Sequence, residues 1–271
     1  MATRRHILVN GQIQDAEAYL GYHQTRIAKT IDKLHEVGAK KIVEVGSHPW
    51  VLTAHLIDDP AFELCATISA EEVTNWPDDI GVSVDCYTLT TTLGNQATFN
   101  NYSANIERTR FELQEFPDTV VACEIVEHLI RAPHIMFLNI NDWLLVGGKL
   151  LITTPNGAQF ANPLRRKSPT PAYRFNTYER HSYVYTLDGL VDLIALCGFK
   201  IVDAGYWNVY ERKGPSSIYD TLSRLPGKYF RDKFMKTIFV VGEKERDVSE
   251  LARSPRVYDP RGNWEFIARA E

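Results

Sequence analysis

The reading of the fold turns on Thr119-Val120-Val121-Ala122-Cys123-Glu124-Ile125-Val126-Glu127-His128-Leu129. Residues 119–126 are almost wholly apolar, so the run reads as a central strand buried on both faces, passing into a helix near Glu124. The same rhythm repeats outward on both sides. Upstream, residues 40–46 (KKIVEVG) and 62–68 (FELCATI) read as short buried strands, and 102–107 (YSANIE) as another. Downstream, residues 147–156 (GGKLLITTPN), 199–207 (FKIVDAGYW) and 235–244 (MKTIFVVGEK) complete the set. Helices fall between them. In 21–38, Ile27, Ile31, Leu34 and Val37 recur at three- and four-residue steps, and Gly38 can stop the helix. Residues 50–58, 134–145 and 187–197 read the same way, the last closed by Gly198. Residues 1–20 admit either a strand or an arm. The stretch 80–110 is ambiguous, although Val82, Val84 and Cys86 alternate as in a strand.

Strands alternating with helices imply an α/β fold, a doubly wound and mostly parallel seven-stranded sheet with helices on both faces. An eight-unit α/β barrel is disfavoured because the loop-rich last third does not supply eight repeats. Residues 1–244 are expected to form one domain. Segments 157–182 and 208–236 would be excursions over one face, and 245–271 a charged tail that docks on a second subunit to make a homodimer or covers its own domain.

Composition narrows the function classes. Of 271 residues, 44% are apolar and 24% charged, enough to build a sizeable core. The 34 acidic against 30 basic residues give a net charge of -4, which argues against general nucleic-acid binding. No apolar run reaches the roughly 18 residues of a membrane span. The four cysteines, Cys65, Cys86, Cys123 and Cys197, form no C-x-x-C pair and read as small buried side chains of a reducing, cytoplasmic compartment. No H-E-x-x-H, nucleophile elbow or P-loop occurs, so no metal site, serine hydrolase or nucleoside triphosphatase is expected.

Ligands of such sheets bind outside the carboxyl ends of the strands, and the chemistry-bearing residues fall there. Glu44-Val45-Gly46-Ser47-His48-Pro49-Trp50 ends a strand in an acid and a glycine turn. Ser69 ends the next strand, with Glu71 and Glu72 following as first-turn acids. Asn105-Ile106-Glu107 follows a third strand, where Asn105 can bond a ligand edge or cap a turn. His128 has the chemistry of a general base.

Taken in order, these segments resemble class I S-adenosylmethionine (SAM)-dependent methyltransferases, and Cys123–Leu129 resembles the E-x-x-E-H-L signature of one broad group of them. A further segment joins the resemblance: Tyr178-Glu179-Arg180-His181, then Tyr185-Thr186 and a helix ending Cys197-Gly198-Phe199. The resemblance covers roughly residues 22–205. It implies a Rossmann-like methyltransferase fold with SAM held by Glu44, Gly46, Ser47, His48, Trp50, Ser69, Asn105 and Glu124. It also implies His128 or His181 as the base, and Tyr178, Arg180 and Tyr185 on the side of a small-molecule acceptor, a metabolite, natural product or sugar. Two features depart from the pattern. His48 and Trp50 stand where small residues are typical, and no acid ends the second strand. They motivate an alternative, a methyltransferase-like protein that no longer transfers methyl groups and acts as a binding or structural partner. A nicotinamide enzyme would need a ribose-binding acid and a G-x-G-x-x-G turn, and has neither.

Overall fold

The computed structural model describes residues 6–14, 17–70, 81–107, 109–129, 133–158, 185–209 and 234–248, isolated positions between 222 and 227, and two short strands at 257–258 and 264–265. In chain order the elements are β1 (Ile7–Val9), β2 (Gln12–Gln14), α1 (Glu17–Glu36), β3 (Lys41–Val45), α2 (Val51–Asp58), β4 (Glu63–Ala70), β5 (Ser83–Thr90) and β6 (Gln96–Ala104). They continue with β7 (Thr119–Cys123), a 3-10 turn (Val126–His128), α3 (Pro133–Trp143), β8 (Lys149–Pro155), α4 (Leu187–Leu196), β9 (Phe199–Trp207) and β10 (Thr237–Lys244).

The sheet has ten strands in the order β2-β1-β5-β6-β4-β3-β7-β8-β10-β9. Five neighbours, β6, β4, β3, β7 and β8, are parallel. β10 runs antiparallel to both β8 and β9. These are the seven strands expected. The seven-stranded, mostly parallel sheet is nevertheless corrected: β5, β1 and β2 extend it antiparallel beyond β6. The ambiguous stretch is a β5–β6 hairpin paired from Ser83↔Ser103 to Thr90↔Gln96. The third parallel strand therefore ends at Ala104 and not at Glu107. The helix expected after β7 is a single 3-10 turn, and α3 starts only at Pro133.

Alternation along the strands sorts side chains between two cores. Val43, Val45, Val120, Ala122, Leu150 and Ile152 face α3 and α4. Ile42, Val121 and Leu151 face α1 and α2. Of the predicted α1 stripe, Ile27 and Leu34 are buried, while Ile31 and Val37 pack at the margin. All four cysteines are free, but Cys86, on β5, is exposed rather than buried. Among the described residues no helix is long and apolar enough to cross a membrane.

Candidate functional site

β3 has β4 on one side and β7 on the other, so successive connections leave in opposite directions and open a crevice at the carboxyl ends of β3 and β7. The period-2 alternation that sends Ile42 toward α1 and α2 sends Glu44 the same way. There Thr53 of α2 donates to its carboxylate at 2.5 Å. Glu44 is 3% exposed. Burial pushes its carboxyl up to about 8, against the lowering effects of Thr53 and the Arg26 guanidinium.

The chain then turns at Gly46, whose φ of +79° favours glycine. A Cβ at this position would lie 3.1 Å from Ile125 Cδ1, so a side chain would crowd the β7 segment. Ser47 is buried, and its hydroxyl has no hydrogen-bond partner among the described residues. His48 is exposed at the rim. Trp50, expected among the cofactor contacts, is 5% exposed and packs away from the turn. Its ring centroid lies 5.5 Å from that of Tyr87 on β5 and 6.3 Å from that of Phe99 on β6. Its left-handed φ of 69° swings the indole into this core. The bulky residue therefore does not narrow the glycine turn.

Between this turn and α1 lies a cavity of about 20 Å³, whose walls include Tyr19, Arg26, Thr30, Glu44, Gly46, Ser47, His48 and Cys123. Its α1 wall was not foreseen from the sequence. Arg26 is 2% exposed. Its Nη2 donates to the Tyr19 hydroxyl at 2.6 Å, and Nη1 lies 3.5 Å from Glu124 Oε1. Burial holds His23, one turn before Arg26, down at about 4, and the Arg26 charge adds to the effect. A signal was present: Tyr19, His23, Arg26 and Thr30 recur at four-, three- and four-residue steps, a polar stripe on the helix face that carries Ile27 and Leu34. Glu124, at the mouth of β7, has a φ of +55°, uncommon for any residue but glycine, and accepts from Thr153 at 3.0 Å.

The other predicted residues are placed as follows. Ser69 ends β4 and donates its hydroxyl to Asn101 at 3.0 Å. Asn105 follows β6, and its side-chain oxygen accepts the Glu107 N–H at 3.1 Å, capping the turn. His128 closes the 3-10 turn with its side chain 37% exposed. Tyr185 lies beside Asn156 just beyond β8 and accepts the Gly157 N–H at 2.7 Å. Tyr178, Arg180 and His181, like Glu71 and Glu72, lie outside the described residues. The structure thus gathers Glu44, Gly46, Ser47, His48 and, through Arg26, Glu124 around one cavity. Ser69 and Asn105 stand at neighbouring strand ends, and Trp50 is elsewhere. At the opposite end of the sheet Glu63, Cys65 and Glu115 bring three ligand-type atoms within 4.8 Å of one another, a grouping the sequence did not suggest.

No protein-family model matches the chain, and no curated protein matches it. Solved structures do. An S-adenosylmethionine-dependent methyltransferase from Clostridium acetobutylicum superposes with a TM-score of 0.52 at 10% identity, covering 86% of this chain and 96% of its own. One from Mesorhizobium loti gives 0.52 at 13% identity, covering 81% and 97%. At such identities the likeness establishes the fold, that of the class I SAM-dependent methyltransferases.

Proposed function

We propose that this chain, which has the class I SAM-dependent methyltransferase fold, binds SAM in the crevice at the ends of β3 and β7 and transfers its methyl group to an oxygen, nitrogen or carbon nucleophile of a small acceptor. The observation that carries the reading is the turn itself. Gly46 turns the chain at a positive φ with Ile125 packed against it, and beside it Ser47 keeps a buried hydroxyl with no partner among the described residues. A buried polar atom left unsatisfied is costly, and a ligand carboxylate or ammonium there would satisfy it. The Arg26 guanidinium on the facing helix supplies the charge and the planar donor set that a carboxylate takes. The residues present fit the amino-acid end of SAM, which Arg26, Ser47 and the Gly46 backbone would hold.

When bound, SAM would supply an electrophilic methyl carbon on a cationic sulfur, with S-adenosylhomocysteine as the leaving group for an acceptor's electron pair. The chain's own work is to bind, orient and exclude water. Glu124, held by Thr153 and paired with Arg26, fixes the cation's position. Where the acceptor is a hydroxyl, His128 takes its proton. His181, Arg180, Tyr178 and Tyr185 complete the proposed acceptor side. The acceptor is a small molecule, a metabolite, natural product or sugar-linked compound, and we place the reaction in the cytoplasm.

One observation favours the second reading, a methyltransferase fold that no longer transfers methyl groups: the cavity of about 20 Å³ has room for a water molecule and not for a cofactor. Under the first reading, Tyr19 and Arg26 move with α1 as the cofactor enters. The test is S-adenosylhomocysteine formation from SAM over pooled hydroxylated and amine-bearing metabolites, with Arg26→Ala alongside. Acceptor-dependent product, reduced about 10- to 100-fold in the variant by loss of a charged hydrogen bond, supports transfer. Cofactor binding without product on any acceptor favours the second reading.

A further inference from the structure

The cavity beside Gly46 is closed by a contact that an incoming ligand has to replace. Tyr19 lies half-buried in the first turn of α1, and Arg26 follows two turns later; both stand in the cavity wall with Gly46 and Ser47. The Tyr19 hydroxyl oxygen accepts from Arg26 Nη2 at 2.6 Å, and the guanidinium carbon lies 5.9 Å from the ring centroid, within reach of a cation–π contact. The His23 ring supports Tyr19, with centroids 4.2 Å apart. Glu124 approaches the same guanidinium at Nη1, 3.5 Å away. The Nη2 donor that a bound carboxylate would take is therefore already committed to a neutral oxygen of the same helix, and the space left is about 20 Å³.

We infer that Tyr19 is a specificity-determining residue of this site: its hydroxyl holds the place of the ligand's carboxylate on Arg26 and yields it only to an anionic group. The inference rests on the methyl-transfer reading and deepens it. A hydrogen bond between two ionised groups is stronger than one with a neutral partner, so a carboxylate outcompetes the phenol, whereas a neutral ligand group gains nothing by displacing it.

Tyr19 is placed to give way. It is the third residue of α1, where the backbone has few intrahelical bonds to lose. Arg26 sits in the middle of the helix, with the Thr30 hydroxyl donating to its carbonyl at 3.0 Å. Opening the first turn leaves Ile27 and Leu34, which anchor the helix in the core, undisturbed. Burial raises the Tyr19 phenol above its ordinary value against the opposing Arg26 charge, so the hydroxyl stays neutral and remains the weaker of the two partners.

The test is calorimetric titration of the full chain and of Tyr19→Phe with S-adenosylhomocysteine and with methylthioadenosine, which keeps the thioadenosine part and has no carboxylate. Phenylalanine retains the ring beside His23 and removes only the hydroxyl. S-adenosylhomocysteine should bind Tyr19→Phe about tenfold more tightly than the wild type, because a hydrogen bond to a charged group no longer has to be broken. Methylthioadenosine should bind, or fail to bind, both proteins alike. Unchanged or weaker S-adenosylhomocysteine binding in Tyr19→Phe overturns the inference, the weaker case making the hydroxyl part of the ligand's hold. An equal gain for both ligands also overturns it, since that marks a loosened helix and not a competed bond. Absence of S-adenosylhomocysteine binding in both proteins is the separate failure of the cofactor reading, and removes the inference with it.

Discussion

Trp50 combines two opposed contributions at one position. A bulky residue in the left-handed region carries strain of about 1–3 kcal/mol, and burial of its indole against Tyr87 and Phe99 offsets it. Truncating a buried tryptophan loses about 3–5 kcal/mol. Trp50→Gly, which also relieves the backbone, should therefore cost about 2 kcal/mol in denaturant unfolding and leave S-adenosylhomocysteine affinity unchanged; lost affinity in a folded variant would return the ring to the cofactor site. Glu44 gives a pH-dependent prediction. Its carboxyl is raised from 4.5 to about 8 in the fold. Between those values the unfolded chain ionises and the folded chain does not, so this contribution is fully present below about 4.5 and lost as pH rises through about 8. Glu44→Gln should gain stability relative to the wild type between pH 5 and pH 9, read from unfolding midpoints. The place of Glu44 and Gly46 at the end of β3 was legible in the sequence because a short apolar run closed by a glycine marks a buried strand and its turn. The direction of Trp50 was not, because one backbone angle decides it and nothing in the residue type announces that angle.

At the scale of elements, α1 shows what an apolar pattern conceals. The three- and four-residue recurrence of Ile27 and Leu34 marks the helix, but the same face also buries Arg26 and Thr30. Periodicity searches weigh apolar residues and pass over a polar stripe, so the wall of the site was hidden inside a correctly placed element. The end of α3 carries another buried cation. Lys244 of β10 is 3% exposed and donates to the carbonyls of Asn141 and Leu144 at 2.7 Å each, as well as pairing with Asp247. It closes carbonyls that a helix end leaves open. Lys244→Met should destabilise the protein by about 1–3 kcal/mol through those unsatisfied acceptors. Hydrogen exchange should quicken first at the α3–β8 junction; a change within about 0.5 kcal/mol would show that water replaces the ammonium.

At the scale of the whole molecule, the parallel strands were legible because burial on both faces makes them continuous apolar runs, as in β3, β7 and β8. The β2-β1-β5 extension was not. β5 (SVDCYTLT) is exposed over its first half, so it lacks the pattern of a core strand, and β1 and β2 have three residues each. Strand order matters more for function than strand number, since the crevice depends on β3 lying between β4 and β7. The central claim is that this crevice takes SAM, and calorimetric titration of the purified protein with SAM and S-adenosylhomocysteine tests it most directly. The account predicts micromolar binding of both, worth about 8 kcal/mol, and marked weakening in Arg26→Ala. Absence of heat and of thermal stabilisation with either ligand at millimolar concentration would contradict it.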